Sequence, residues 1–349
     1  MKTDENPRTS PDGAPLLELD DVRTYFGHGS RRVHAVDGVS LTVGPGETVG
    51  LVGESGCGKT TLGRTIMQLE RATSGRILFE GQDLAKLRGS RLDRVRPGIQ
   101  MVFQDPRGSL DPQMRIAEIV GEGIRAVGRP ARKARADRVA EIIERVGLST
   151  EYLSRYPHEF SGGQLQRIGI ARALIRSPRL VIADEAVSAL DVSVQSQILN
   201  LLVGLQQDLG VSYIFISHNL SVVEYMSDRV GVMYLGEIVE LGTAADIYNR
   251  PLMPYTQALL SATPEVVDDS ARNDSAQGRR ERIVLRGDVP SPLNPPSGCR
   301  FRTRCWMAQD ICAAEAPELR EVEPGHWSAC HFSGQHAQGH TNEPAEALS

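Results

Sequence analysis

A glycine-rich loop between an apolar run and a helical pattern constrains this chain more than any other feature. The loop reads Gly53-Glu54-Ser55-Gly56-Cys57-Gly58-Lys59-Thr60 and matches the motif G-x-x-x-x-G-K-[ST]. The apolar residues 48–52 precede it, and a helical pattern begins at Thr61. In this setting the glycines let backbone N–H groups surround phosphates, while Lys59 offsets their charge and the Thr60 hydroxyl can ligate magnesium. The motif predicts a nucleotide-binding loop, and a chance glycine-rich turn is the alternative.

Short apolar runs alternate with helical patterns from residue 16 to about residue 262. The runs at 48–52, 180–183 and 211–216 are typical of buried strands, and each ends directly in polar residues. This alternation predicts an α/β fold with a parallel sheet covered by helices. Because ligands of such sheets lie at the carboxyl ends of the strands, we expect the polar residues after these runs to meet in one crevice.

Three polar side chains stand at the ends of the second and third runs. Asp184 and Glu185 follow the second run, and His218 comes shortly after the third. A carboxylate at such a position can reach a metal ion, and a second one can polarise an attacking water. Taken alone, the carboxylates could be a solvated strand end, and a lone histidine is more often structural. Together with the phosphate loop, the carboxylates are predicted to be catalytic and His218 to contact the γ-phosphate.

A further short motif reads Ser161-Gly162-Gly163-Gln164. A serine followed three residues later by a glutamine is a helix capping box, which is the structural interpretation of this motif. A helix N-terminus with free N–H groups beside two glycines also suits a phosphate, including one held by another subunit. The two interpretations are compatible.

The bulk composition excludes several classes of protein. The chain has 349 residues and a net charge of -5, without the basic face that nucleic-acid binders usually show, so we expect no nucleic-acid partner. It lacks an apolar stretch of roughly 18–20 residues, and its first residues are polar rather than signal-like. We therefore expect a cytoplasmic protein of two domains.

Composition shifts along the chain predict its division into segments. The expected order is a disordered lead at 1–14, a nucleotide-binding domain at 15–262, a linker at 263–282, a cysteine-rich region at 283–332 and a disordered tail at 333–349. Patterns of amphipathic helices around 116–120 and 139–143 also predict a helical insertion at about 83–160.

The set and order of these motifs resemble the nucleotide-binding subunit of an ATP-binding cassette (ABC) transporter. The resemblance implies the P-loop NTPase fold with a helical subdomain. The family's motifs correspond to the Walker A loop at 53–60 with Thr61, the Q-loop at Gln104, the signature at 161–164, the Walker B carboxylate Asp184 with catalytic Glu185, the D-loop residue Asp191 and the switch histidine His218. Phe26 is the aromatic side chain expected to stack on adenine, with Tyr25 as its competitor.

The resemblance also implies a mechanism and a partner. ATP would lie in a head-to-tail dimer, between one subunit's phosphate loop and the other's signature helix. Glu185 would be the general base, and Thr60, Asp184 and Gln104 would hold Mg²⁺. Gln104 would also report the nucleotide state to the helical insertion, which receives a short helix from the membrane subunit. His218 would position the γ-phosphate.

Segments outside the core motifs are similar to the dipeptide, oligopeptide and nickel importer branch of the family. They lie at 35–40, 156–160 and 289–299. This implies an ATP-hydrolysing subunit, peripheral on the cytoplasmic face of the membrane, that drives two permease subunits. It would work with a second, paralogous ATP-binding subunit and, indirectly, an extracytoplasmic substrate-binding protein. The rivals are a soluble ABC ATPase acting on ribosomes or DNA, an exporter ATPase and a catalytically silent regulatory partner. Two residues depart from the pattern of this branch: Leu165 stands where a basic residue is usual, and Asn219 follows His218 where Asp is common.

Four of the five cysteines lie close together in the sequence, at Cys299, Cys305, Cys312 and Cys330. The absence of a C-x-x-C pair weakens a zinc site, and a reducing cytosol disfavours disulfides. Metal or cluster binding and free buried thiols both remain open from the spacing. The family resemblance implies a structural 4Fe–4S cluster on the four thiolates. The fifth, Cys57, occupies a variable position of the phosphate loop and is interpreted as a packing residue.

Overall fold

The computed structural model describes residues 14–125, 132–262 and 282–334. Most residues of the predicted tails and linker lie outside these ranges, and so do the predictions of disorder made for them. An antiparallel sheet lies near the N-terminus, and its strands are β1 (Leu17–Phe26), β2 (Val33–Val43), β4 (Ser74–Phe79) and β5 (Gln82–Asp83), in the order β2-β1-β4-β5. Alternate side chains of β1 are buried, as expected for a strand with one face on the core.

A second sheet forms the centre of the molecule. Its strands are β3 (Thr48–Val52), β6 (Ile99–Val102), β7 (Leu180–Asp184), β8 (Ser212–Ile216), β9 (Arg229–Tyr234), β10 (Glu237–Thr243), β11 (Arg320–Glu323) and β12 (His326–Ser328). Their order is β11-β12-β10-β9-β3-β8-β7-β6, and the strands from β9 to β6 are parallel.

The three strands predicted from apolar runs are present as β3, β7 and β8. Every residue of these strands is buried, because helices pack on one face of the sheet and the antiparallel sheet packs on the other together with the first helix after β3. The three strands are neighbours and run parallel, so their carboxyl ends meet at one edge, which confirms the predicted α/β fold.

Helices connect the strands and form a separate layer beside the sheet. They are α1 (Lys59–Ile66), α2 (Ser90–Val95), α3 (Pro106–Ser109), α4 (Ile116–Arg125), α5 (Arg132–Arg145), α6 (Gly162–Leu174), α7 (Val192–Leu209), α8 (Leu220–Met226), α9 (Ala244–Asn249), α10 (Pro254–Ser261) and α11 (Asp310–Ala314). The apolar stripes of α4 and α5 pack on α6 in one core cluster. Within the described residues, no helix is both long and apolar enough to cross a bilayer.

The interval predicted as a helical insertion, 83–160, is not helical throughout. It contains β6, which pairs with β7 through neighbours such as Met101 and Ile182. A strand of four residues is too short to produce a clear periodicity, and its identity depends on pairing with a strand far along the chain.

The C-terminal region extends the central sheet. Strand β12 pairs with β10, with Trp327 opposite Leu241, and β11 completes the edge. Here Glu240, which is fully buried, contacts the imidazole of His326 across 2.8 Å. The cysteine-rich region is thereby joined to the nucleotide-binding domain by backbone pairing and a buried polar contact.

Candidate functional site

The loop after β3 has a backbone that requires glycine at two positions. Gly53 has φ +150° and Gly58 has φ +107°, in the region that side chains rarely adopt. A Cβ atom at Gly53 would lie 2.2 Å from the carbonyl oxygen of Met233, and one at Gly58 would lie 2.1 Å from that of Ala35. These glycines allow the loop to pass tightly against its neighbours.

Lys59 begins α1 and is almost fully buried, with 5 % of its surface exposed. Its ammonium donates to the carbonyl of Gly53 at 2.7 Å and to that of Glu54 at 3.0 Å. Backbone carbonyls of the loop therefore hold the charge at the loop itself, beside the place expected for phosphates. Because these two acceptors are neutral, they do not cancel the positive charge, which is available to an anion.

The next side chain, Thr60, contacts the carboxylate at the end of β7. Its hydroxyl donates to Oδ1 of Asp184 across 2.9 Å. Burial raises the pKa of Asp184, partly opposed by this hydrogen bond. A hydroxyl and a carboxylate oxygen side by side fit Mg²⁺, which is usually held by one or two such ligands together with substrate phosphates. Gln104 lines a cavity together with Thr60 and Asp184 and offers an amide oxygen.

Glu185 has a left-handed backbone, with φ +47°. Such a conformation is uncommon for a side-chain-bearing residue and is typical of functional sites. Its carboxylate accepts a hydrogen bond from Nε2 of Gln104 at 2.7 Å, and its other oxygen lies 3.4 Å from Nδ1 of His218. Three of the residues predicted to be catalytic thus meet around one carboxylate.

The loop and these polar groups line one cavity of about 530 Å³. Its lining consists of Val33, Ala35, Ser55, Gly56, Gly58, Lys59, Thr60, Thr61, Gln104, Glu185, His218 and Pro292. The crevice predicted at the carboxyl ends of the strands is therefore present. Val33, Ala35 and Pro292, the last from the C-terminal region, are the lining residues that the sequence did not predict as site residues.

The signature residues lie at the start of α6 and are absent from the lining of this cavity. Ser161 accepts from the N–H of Gln164 at 3.4 Å, and the Gln164 side chain accepts from the N–H of Ser161 at 3.0 Å. The predicted capping box is confirmed. Gly163 approaches α7 so closely that a Cβ there would lie 2.5 Å from Val194. Asp191, the predicted D-loop residue, caps α7 by accepting from the N–H of Val194 at 3.0 Å.

The two candidate aromatic rings differ in their surroundings. Tyr25 donates to Asp37 and its ring lies 4.3 Å from that of His34. Phe26 is 38 % exposed and pairs across the sheet with Val33, which lines the cavity. Phe26 is thus the ring that has room for a base, although it is not itself part of the lining.

The two departures from the branch pattern have structural roles. Leu165 is a residue of α6 whose side chain is buried in the core. Asn219 caps α8 by accepting from the N–H of Val222. Neither side chain belongs to the cavity lining, so the cavity does not depend on them. Cys57, as predicted, is buried among apolar side chains of the core.

The structure does not support the predicted 4Fe–4S cluster. Within the described ranges, no three His, Cys, Asp or Glu side chains are arranged to hold a metal ion. Burial raises the pKa of Cys305 to about 12 and that of Cys330 to about 11. All four are free cysteines; Cys312 and Cys330 are buried, and Cys299 and Cys305 are half-buried.

The C-terminal region contacts the phosphate loop in a way that the sequence did not predict. Arg304 forms two hydrogen bonds to Glu54 of the loop, at 2.7 and 3.0 Å. The partners are 250 positions apart, and neither belongs to a motif that links them. A motif search therefore has no signal for this contact.

Two family models match the sequence. The model described as "ABC transporter" matches residues 36–188. The model described as "Oligopeptide/dipeptide transporter, C-terminal region" matches residues 239–312. The first match contains the loop, Gln104, the signature and both strand-end carboxylates, and the second contains Pro292 and Arg304.

Relatives match over nearly the whole chain. The oligopeptide transport ATP-binding protein AppF of Bacillus subtilis (strain 168) is 50 % identical over 332 residues, which is 93 % of this chain and 99 % of AppF. The oligopeptide transport ATP-binding protein OppF of Salmonella typhimurium is 50 % identical over 314 residues, 87 % of this chain and 92 % of OppF.

A solved structure has the same fold over the nucleotide-binding part. It is the dimeric post-hydrolysis state of the ATP-binding cassette MJ0796 bound to ADP and Pi, 28 % identical with a TM-score of 0.60. It covers 66 % of this chain and 99 % of its own chain.

Proposed function

The chain belongs to the ATP-binding subunits of ABC transporters, and from this membership we propose that it hydrolyses ATP to energise a peptide-type importer. The observation that carries the proposal is the match to the C-terminal region of oligopeptide and dipeptide transporters, which follows a complete ABC site in the same chain. Relatives that share this whole arrangement are named as oligopeptide transport ATP-binding proteins.

Within this proposal, Glu185 is the general base. The carboxylate accepts a proton from the attacking water, while the amide of Gln104, 2.7 Å away, fixes its orientation. His218, beside the other carboxylate oxygen, positions the γ-phosphate. Lys59 leaves the loop carbonyls to contact the β- and γ-phosphates, as the charge of the triphosphate attracts it.

Thr60 and Asp184, together with Gln104, are the proposed ligands of Mg²⁺. When bound, the ion supplies positive charge to the β- and γ-phosphates. The hydrogen bond between Thr60 and Asp184 keeps both oxygens directed at one point before the ion arrives. The nucleoside part of ATP extends toward Phe26.

We place the second half of each ATP site on another subunit. The cavity is lined by the phosphate loop but not by residues 161–164, so a partner has to bring its own signature helix to the γ-phosphate. The N–H groups at the start of such a helix favour an anion. This favours the head-to-tail dimer, with the second ATP-binding subunit a paralogue.

The similarity to the dipeptide, oligopeptide and nickel importer branch suggests the remaining partners. Two permease subunits receive the force through the helical layer formed by α4, α5 and α6, and an extracytoplasmic binding protein delivers the cargo to them. The chain is then peripheral on the cytoplasmic face of the membrane. The exporter and the ribosome- or DNA-directed alternatives lack support in the C-terminal match.

The test is purification of the tagged chain from detergent-solubilised membranes of the native cell, with partners identified by mass spectrometry. We expect two permease subunits and a second ATP-binding subunit, and ATP hydrolysis by the recovered complex. Recovery of ribosomal or DNA-repair proteins without a permease would contradict the importer assignment and leave the ATPase assignment in place.

A further inference from the structure

The phosphate loop contains an acidic residue at a position where negative charge opposes its task. Glu54 is the second residue of the loop, and its backbone carbonyl accepts from the Lys59 ammonium. A carboxylate here lies close to the place where a triphosphate has to bind. Unless its charge is compensated, it repels the nucleotide through space.

The compensation comes from the C-terminal region. The Arg304 guanidinium forms a two-point contact with the Glu54 carboxylate, at 2.7 and 3.0 Å. The side chains are 7 % and 26 % exposed, so water screens the pair less than it would a surface ion pair.

Packing fixes Arg304 in position. Phe301, which is buried, packs on the rings of Tyr234 and Tyr255 with centroids 5.3 Å away in both cases. The hydroxyl of Tyr255 in turn accepts from the backbone N–H of Glu54 at 2.9 Å. The segment that carries Arg304 and the phosphate loop therefore both contact the same cluster of aromatic rings.

Another residue of the C-terminal region forms a wall of the cavity. Pro292 lines it beside Val33 and Ala35 of β2. Its carbonyl accepts from the backbone N–H of His34 at 3.1 Å, which holds the proline against the strand. Val33 on this side pairs across the sheet with Phe26, the ring expected to stack on adenine, so the nucleoside is the part of ATP that reaches it.

We propose that the C-terminal region completes the nucleotide site, with Arg304 neutralising Glu54 on the phosphate loop and Pro292 contacting the nucleoside of ATP. The inference rests on the proposed function. Arg304 acts through Glu54 and is a positioning and charge-compensating residue, whereas Pro292 touches the nucleotide. The region that distinguishes this branch then sets the affinity of the chain for ATP.

The first experiment measures ATP affinity of the full-length chain and of charge variants by isothermal titration calorimetry. Arg304→Gln should weaken ATP binding roughly fivefold because Glu54 is left uncompensated. Glu54→Gln leaves the Arg304 charge unpaired and should strengthen rather than weaken ATP binding. The double variant Glu54→Gln/Arg304→Gln should return to within about twofold of the original chain, because no charge is left to compensate.

The rescue separates charge compensation from a purely structural role. If Arg304 only stabilised the fold, the double variant would bind no better than Arg304→Gln. That outcome, or an unchanged affinity in Arg304→Gln, would overturn the role of Arg304.

The second experiment compares ATP with inorganic tripolyphosphate, which has the phosphates without the nucleoside. Pro292→Ala should weaken ATP binding about threefold and leave tripolyphosphate binding unchanged, because the lost ring contact concerns the nucleoside. Pro295→Ala is the matched control, since this half-buried proline of the same segment is absent from the cavity lining. Equal loss for both ligands, or no loss for ATP, would reject the proposed contact.

Binding by the original chain distinguishes failure of the proposed function from failure of the role given to the C-terminal region. If the original chain binds neither ATP nor tripolyphosphate, the proposed function is wrong. If it binds both and the variants of Arg304 and Pro292 behave like it, the proposed function stands and the role of the C-terminal region is wrong.

Discussion

At the scale of single residues, Glu185 combines an unusual backbone with a defined set of neighbours. Its left-handed φ of +47° directs the side chain to Gln104 and His218. Replacing Glu185 by Gln keeps the shape but removes the basic oxygen. We expect Glu185→Gln to reduce ATP turnover at least roughly 100-fold, because general-base catalysis is lost. ATP binding should persist, since Lys59 and the loop are unchanged.

The measurement is steady-state phosphate release together with equilibrium ATP binding. Glu80→Gln is the control, because this exposed glutamate pairs with Arg179 on the surface and should leave both quantities unchanged. Near-normal hydrolysis by Glu185→Gln would remove Glu185 from the role of base.

Asp37 on β2 gives a prediction for pH. Burial would raise the pKa of Asp37, but hydrogen bonds from Tyr25, His34 and Arg300 outweigh it and lower the pKa from 3.8 to about 2. A carboxylate with a lowered pKa in the folded state stabilises the fold above its unfolded pKa. That contribution is on the order of 2 kcal/mol and disappears as the pH falls from about 4 through about 2.

The corresponding variant is Asp37→Asn. We expect it to lower the free energy of unfolding at pH 6 by that amount, and the difference from the original chain to shrink as the pH is lowered toward 3. Urea unfolding between pH 3 and pH 6 measures this. Asp20→Asn is the control, because Asp20 also pairs with an arginine, Arg76, but both side chains are about half exposed. A difference independent of pH would exclude Asp37 as its source.

At the scale of elements, a buried polar contact attaches the C-terminal hairpin to the sheet. The Glu240 carboxylate accepts from the N–H groups of Leu252 at 2.7 Å and Met253 at 3.0 Å, and contacts His326 at 2.8 Å. Glu240→Ala leaves these groups without their acceptor in a site that excludes water. We expect a loss of about 3–5 kcal/mol in the free energy of unfolding, measured by urea unfolding.

A surface pair in the same hairpin provides the control. Glu323 pairs with Arg250 at 2.8 Å, and the two side chains are 40 % and 59 % exposed. Glu323→Ala should therefore cost less than about 1 kcal/mol. If the two variants cost the same, the buried contact is not what attaches the hairpin.

The elements also indicate how far the sequence could predict the structure. The strands β3, β7 and β8 and the cap of α6 follow from local patterns, because apolar runs and the pair Ser161 and Gln164 act within a few positions. The edge strand β6 and the strand β12, which lies between β11 and β10, are short and depend on partners elsewhere in the chain. The contact of Arg304 with Glu54 spans 250 positions, and no local rule specifies such a pair.

At the scale of the whole molecule, the signature residues lie outside the cavity that the phosphate loop lines. The cavity holds the loop, Gln104 and Glu185, whereas the start of α6 is outside it and its capping serine is exposed. The cavity of an isolated chain can therefore contact ATP only from the side of the phosphate loop. In the proposed dimer, a second subunit supplies the missing contact, and ATP links the two subunits.

Ser161→Glu tests this division. A carboxylate at the N-terminus of α6 should repel the γ-phosphate held by the partner, while the affinity of the chain's own cavity for ATP stays unchanged. In chains that also contain Glu185→Gln, sedimentation with ATP and the second ATP-binding subunit should show a complex that Ser161→Glu abolishes. Ser149→Glu is the matched control, because Ser149 also caps a helical turn and is exposed. Association that survives Ser161→Glu would mean that α6 does not face the nucleotide of the partner, since the added charge would then lie away from it.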